Sequence, residues 1–170
     1  MVWKSLFWCV LVTGILGYLK ERLNDCLYSG KPFWFCSTSF GQHCLNCVSA
    51  MGKGVALQFK NRYPALYKDY KGRCLRGEVV PGKPFLWKNE TVQILNFPTK
   101  RHWKENSYIE DIEFGLKYLA NHYEQMGIQS LAMPPLGCGN GGLNWEDVRS
   151  LIEKHLGKLA DLDFYVYEPA

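Results

Sequence analysis

The chain has no apolar run long enough to cross a membrane, no lysine and hydroxyl residue after its glycines to make a P-loop, no G-x-G-x-x-G, and no internal repeat or linker. A spanning helix needs ~20 apolar residues. The longest candidate, within Met1 to Lys20, holds about fourteen after Lys4. That stretch resembles a signal h-region, but no A-x-A-like cleavage site follows it. A buried first strand, Cys9 to Thr13, accounts for the same residues, so a cytoplasmic protein is expected and a secreted or anchored one is the lesser alternative. Neither sign of charge dominates: 20 Lys and Arg against 16 Asp and Glu leave +4. That suits an anionic ligand or nucleic acid and proves neither. At 47% hydrophobic and 21% charged over 170 residues, disorder is excluded and one domain with a sizeable core is expected.

Zinc-type patterning is also missing. Seven cysteines are an odd number. Cys36, Cys44 and Cys47, with His43 among them, follow C-x7-C-x2-C, which is not a usual metal spacing. The cysteines are read as reduced core residues, and neither a metal nor a cofactor is expected.

What the chain does have is glycine in two places. Gln129 to Glu146 opens as a short apolar strand, Ser130 to Met133, and two prolines stop it. Gly137, Gly139, Gly141 and Gly142 follow, and then Asn144 opens a helix. Such a loop can turn with positive φ and bring N–H groups to an anion, and a helix N-terminus adds free donors. A tight strand-to-helix connection without a ligand explains four glycines equally well. The second cluster, Asn46 to Phe59 with Gly52 and Gly54, tips the balance. Two strand–glycine loop–helix units suggest two loops closing over one diphosphate-containing ligand.

Along the rest of the chain, Tyr18 to Leu27 reads as a short amphipathic helix and Ser29 to Gln42 as irregular or partly extended. Helices are expected over Gly54 to Asn61 and Ala65 to Leu75, with Pro64 in the first turn. Phe85 to Lys88 and Thr91 to Phe97 read as strands. The second leads into a loop, Asn96 to Trp103, where Lys100, Arg101 and His102 gather beside a strand end. Ser107 and Glu110 form a capping box for a helix closed by Gly127. Asn144 caps the next helix, which runs to Gly157, and Leu162 to Tyr167 is a last strand. Alternating strands and helices predict an α/β fold, a mixed sheet with helices on its faces.

Three stretches carry a resemblance: N-C-V-S-A-M-G-K-G-V-A-L-Q-F, I-L-N-F-P-T-K-R-H-W and L-A-M-P-P-L-G-C-G-N-G-G-L-N-W-E-D-V. Together they resemble a macro domain of the DarG type, the antitoxin that opposes the DarT toxin. The likeness covers residues 46–169, leaving 1–45 as a divergent N-terminal part of a single domain.

The resemblance implies a three-layer α/β/α fold that binds ADP-ribose and hydrolyses its bond to a thymidine base in single-stranded DNA. It implies that Asn46, Cys47, Val48, Met51, Gly52, Lys53 and Gly54 lie near the distal ribose. It implies that Leu136, Gly137, Cys138, Gly139, Asn140, Gly141 and Gly142 wrap the diphosphate, and that Asn96, Phe97, Pro98 and Thr99 line the same cleft. Lys100 matches the lysine regarded as catalytic in this branch. A lysine amine can attack C1″ or move protons if nearby cations lower its pKa, and Arg101 and His102 are candidates to do so.

Arg101, His102, Trp103 and Lys104 are natural groups for DNA phosphate contact and base stacking. Partners would be ADP-ribose or ADP-ribosylated single-stranded DNA and a DarT-type toxin, with a monomer expected and no membrane. The sequence departs from the family at Ile15, where a polar residue holds adenine, and at His43, where the family has Asn. These departures keep two alternatives open: a non-catalytic ADP-ribose-binding module, or a hydrolase of ADP-ribosylated protein or of ADP-ribose-1″-phosphate.

Overall fold

The computed structural model describes residues 40–166. The strand at Cys9 to Thr13, the helix at Tyr18 to Leu27, Ile15 and Cys36 lie outside the described residues. Among the described residues, nine elements run in the order β1 (Phe40–Asn46), α1 (Gly54–Arg62), α2 (Pro64–Leu75), β2 (Phe85–Lys88), β3 (Gln93–Lys100), α3 (Ile109–His122), β4 (Ser130–Met133), α4 (Trp145–Leu156) and β5 (Asp163–Val166). The sheet order is β2-β3-β1-β4-β5. All pairings are parallel except β2 with β3, so the sheet is mixed.

Strand alternation puts a core on each face. Leu95 and Phe97 of β3 and Leu131 and Met133 of β4 pack with Ile112, Leu116 and Leu119 of α3 and Val148, Ile152 and Leu156 of α4. The other face offers Leu45, Ile94 and Ala132 to Phe59 of α1 and to Leu66 and Tyr70 of α2. The result is three layers, α/β/α. Strand β3 is buried on both faces from Ile94 through Thr99, as a central parallel strand should be. Helix α3 comes so close to the sheet that Gly115 lies against the Phe97 ring, and a Cβ there would strike it. This approach explains a glycine inside a helix, where it otherwise costs about 1 kcal/mol relative to alanine.

Four expectations need correction. Ser29 to Gln42 was expected to be irregular or partly extended without a defined strand, and Phe40 to Gln42 open β1, the middle strand of the sheet. β1 was hidden because Gly41, Gln42 and His43 break any apolar run. The strand expected over Thr91 to Phe97 spans Gln93–Lys100, so Asn96 to Lys100 are strand and the loop starts at Arg101. The capping box does not form: the N-cap of α3 is Tyr108, with no side-chain cap bond. Ser107 instead donates its N–H to Gly141 O at 2.8 Å, a tertiary contact that overrides the local signal. Finally, α3 ends at His122 and a turn follows, closed by Gly127 at φ +71°.

Candidate functional site

The connection from β1 goes to one side of the sheet and β4 lies on the other, so the chain reverses direction beside β1. Open α/β sheets keep their ligands at such a reversal, outside the carboxyl ends of the strands. Both glycine loops emerge there: residues 47–53 after β1 and 134–144 after β4.

Pro98 sits in the middle of β3, where it cannot donate to the ladder. The β1–β3 register slips at this place, so Leu45 faces Pro98 and Asn46 faces Lys100. Such bulges re-aim side chains beside sites. Here Cys47 N donates to Lys100 O at 3.0 Å, and the Lys100 ammonium reaches Asn140 O at 2.5 Å. A Cβ on Gly54 would stand 3.5 Å from the Asn140 amide nitrogen. The end of β3 and both loops therefore converge on Asn140.

The first loop is built by Asn46. Its Oδ1 accepts from Val48 N at 3.0 Å and Ala50 N at 3.1 Å, and its Nδ2 donates to Ala50 O at 2.5 Å. The buried Tyr70 hydroxyl, which sequence reasoning missed, donates to Asn46 O at 2.6 Å and lies 3.1 Å from its Oδ1. Ser49 takes φ +59° at the tip of this turn. Asn46 thus shapes the loop with a fully engaged side chain.

The second loop is built by missing side chains. A Cβ on Gly141 would meet Gly137 O and Ser107 Oγ, and one on Gly137 would stand 2.8 Å from Leu143 Cδ1. Ser107 Oγ is buried and has no hydrogen-bond partner. Gly52 and Gly139 differ from these: nothing lies within 4 Å of a Cβ built on either, and neither has positive φ. The protein's own packing and backbone therefore do not require glycine at these two positions. Among the described residues, the N–H groups of Gly139, Asn140 and Gly141 donate no backbone hydrogen bond. Gly139 and Asn140 are exposed, and such unpaired donors are of the kind that holds an anion.

The free helix end is not the one expected. Asn144 Oδ1 caps α4 by accepting from Glu146 N at 2.8 Å and Asp147 N at 3.4 Å, and its first turn is acidic. Helix α1 has no side-chain cap at Lys53 and no acid in its first turn. Its N-terminal dipole and unpaired donors face the cleft beside Gly54.

The remaining expected site residues separate by burial. Val48, Gly52, Lys53, Gly54, Gly139, Asn140 and Gly142 are exposed, and Cys47, Lys100 and Cys138 are half-buried. Met51, Phe97 and Leu136 are in the core, and Pro98 is buried with them. Asn96 is buried with its amide within reach of Ile94 O and Phe85 O, and Thr99 donates to Leu45 O at 3.3 Å. These six support the cleft from beneath.

Arg101 was, with His102, a candidate to supply a cationic environment for Lys100. It is committed elsewhere: it grips the buried Asp111 with two bonds of 3.0 and 3.1 Å and lies over the Tyr108 ring. Burial, then the neighbouring Cys74 and Asp111, push the Cys47 thiol up to about 11 against a lowering by Arg101. Burial pushes Cys44 to about 11 as well. Both stay protonated near neutrality and are poor nucleophiles. Among the described residues no three His, Cys, Asp or Glu side chains gather to hold a metal, and no helix is long and apolar enough to cross a membrane.

A model for the Macro domain matches residues 43–152. The DNA ADP-ribosyl glycohydrolase of Mycobacterium tuberculosis is 45% identical over 130 residues, which cover 74% of this chain and 37% of that protein. The chain thus spans well under half of that relative. The solved macrodomain of Mycobacterium tuberculosis DarG superposes with a TM-score of 0.77 at 42% identity, covering 80% of this chain and 92% of that one. Thermosipho africanus DarTG in complex with ADP-ribose superposes with a TM-score of 0.75 at 38% identity, covering 79% of this chain and 39% of that one.

Proposed function

The chain belongs to the macro-domain family, and from that premise we propose that it binds ADP-ribose and removes it from thymidine in single-stranded DNA. The observation that carries the reading is the convergence on Asn140: two glycine loops, an uncapped helix end and the Lys100 ammonium meet at one cleft. The diphosphate would lie against the N–H groups of residues 139–141 and the N-terminus of α1, in the room left at Gly52 and Gly139. Val48, Lys53 and Cys138 would line the cleft around it. The relatives support the substrate: one carries DNA ADP-ribosyl glycohydrolase as its name, and a DarTG structure holds ADP-ribose.

Lys100 would act at C1″. In its neutral form the amine attacks C1″ while the bond to the base breaks, and the electron pair leaves with the base, which takes up a proton. Water then hydrolyses the amine adduct, releasing ADP-ribose and restoring Lys100. No acidic residue stands between Gly137 and Asn144 to share this work. The chain would act as a monomer in the cytoplasm, paired with a DarT-type toxin.

Lys100→Ala decides between turnover and simple binding. It should lower ADP-ribose release from modified single-stranded DNA at least 100-fold, since a lost nucleophile costs two or more powers of ten. Calorimetry should show ADP-ribose affinity changed by less than about threefold, under ~0.7 kcal/mol. Unchanged release would remove Lys100 from the chemistry. No release by the parent protein, with binding intact, would leave a binding module.

A further inference from the structure

The segment after Lys100 is tied to the cleft at both ends. Lys100 Nζ reaches Asn140 O at one end, and Ser107 N donates to Gly141 O at the other. The Asn106 amide lies beside Gly142, 3.4 Å from where a Cβ would stand. Residues 101–108 therefore form a rim of the cleft. Trp103, three residues past Lys100, lies within about 11 Å of it by chain length alone.

Two rings stand exposed on this rim. Trp103 is 54% exposed and Tyr108 44%, in a protein that buries Phe59, Tyr70 and Phe97 completely. Each ring has a cation over it: Lys104 Nζ is 5.1 Å from the Trp103 centroid, and Arg101 Cζ is 4.4 Å from that of Tyr108. His102 stacks on Trp103 with centroids 5.6 Å apart. Arg101 is pinned by buried Asp111, so its plane steadies Tyr108 while its charge is already matched. Lys104 remains to meet phosphates, and Glu105 is the one acid within residues 101–108.

Exposed aromatic rings interleaved with cations are how proteins track single-stranded nucleic acid. We infer that Trp103 and Tyr108 form a stacking platform for the unpaired bases beside the ADP-ribosylated nucleotide, with Lys104 on the phosphate backbone. The inference rests on the proposed DNA substrate and adds where its unmodified nucleotides lie. A duplex hides its base faces and a protein has none to offer, so the platform favours single-stranded DNA over both.

The test has two arms. In the first, the full chain binds a fluorescein-labelled, unmodified oligothymidylate, read by anisotropy. Trp103→Ala and Tyr108→Ala should each weaken binding roughly 5- to 150-fold, the range for loss of one stacked base. Trp103→Phe should recover most of the loss, and duplex of the same length should compete poorly. In the second arm, both alanine variants should raise KM on an ADP-ribosylated oligonucleotide with kcat held. Their constants on ADP-ribosylated thymidine nucleoside and their ADP-ribose affinity should match the parent, which also shows that they fold. Equal oligonucleotide affinity for parent and both variants overturns the platform, as does an equal loss on the nucleoside. Retained oligonucleotide affinity with lost binding of a DarT-type toxin overturns it in favour of a protein-docking surface. Binding through Trp103 with no ADP-ribose release keeps the platform and removes the hydrolase reading; release with unchanged KM in both variants does the reverse.

Discussion

Two loops close one cleft by opposite means. Residues 47–53 take their shape from a side chain, Asn46, which satisfies Val48, Ala50 and the Tyr70 hydroxyl at once. Residues 134–143 take theirs from missing side chains, because Gly137 and Gly141 leave room for Leu143 and Ser107. The helix ends differ in the same sense: α4 is closed by Asn144, whereas α1 is left open. A loop built on a side chain fails when atoms are removed, and a loop built on glycine fails when atoms are added. The two can therefore be broken separately, although they serve one ligand.

The largest effect is expected at Gly141. A Cβ there falls on Gly137 O, which is backbone and cannot swing away, and on Ser107 Oγ. Gly141→Ala should cost about 3 kcal/mol, the upper range for overpacking, and abolish ADP-ribose binding. Urea unfolding and calorimetry measure the two losses. Parent-like stability would show that the second loop is not held by its glycines.

Next is the first loop. Asn46→Ala leaves the Val48 and Ala50 amide hydrogens and the Ala50 carbonyl without partners, and should cost ~2 kcal/mol. Tyr70→Phe removes only one hydroxyl from Asn46 O and should cost ~1 kcal/mol. The double variant should cost less than the sum, because the two side chains share a bond. Additive losses would mean that Tyr70 supports the core and not the loop.

This contrast also separates what was legible in the sequence from what was not. Gly137 to Gly142 between an apolar strand and Asn144 announced a loop, and Ser130 to Met133 was readable to the residue. The same letters did not say which glycines serve packing and which leave room, since Gly139 and Gly141 differ only in what faces them across the fold. A strand before the first glycine loop was expected, but not where β1 begins, because its paired neighbours, not its own residues, make Phe40 to His43 a strand. The capping box at Ser107 failed for the same reason: the glycine loop claims the serine backbone. Asp111 lies within the α3 pattern, and only the structure brings Arg101 to it.

A smaller effect appears only at high pH. Burial raises Cys44 beside the second loop and Cys47 in the first to about 11 from 9.0. The unfolded thiols release their protons at lower pH than the folded ones. Their contribution to stability is thus complete below about pH 9 and is lost as pH rises toward 11. Replacing both with alanine should flatten the fall in unfolding free energy between those limits. An unchanged slope would assign it to other groups, such as Tyr70, whose hydroxyl burial also raises.

The smallest change in stability is expected where the two loops are alike. Gly52 and Gly139 have open space where a Cβ would go, and neither has positive φ. Gly52→Ala and Gly139→Ala should each alter stability by no more than ~0.5 kcal/mol, as for any surface change. Their effect on ADP-ribose should be far larger, about tenfold or more in affinity, or ~1.4 kcal/mol. A methyl group in that space keeps a diphosphate from approaching the N–H groups of residues 139–141. A fold indifferent to alanine and a ligand that rejects it would identify the open space as the ligand's. If both variants bind ADP-ribose as the parent does, the diphosphate does not lie there, and the convergence on Asn140 must be explained by packing alone.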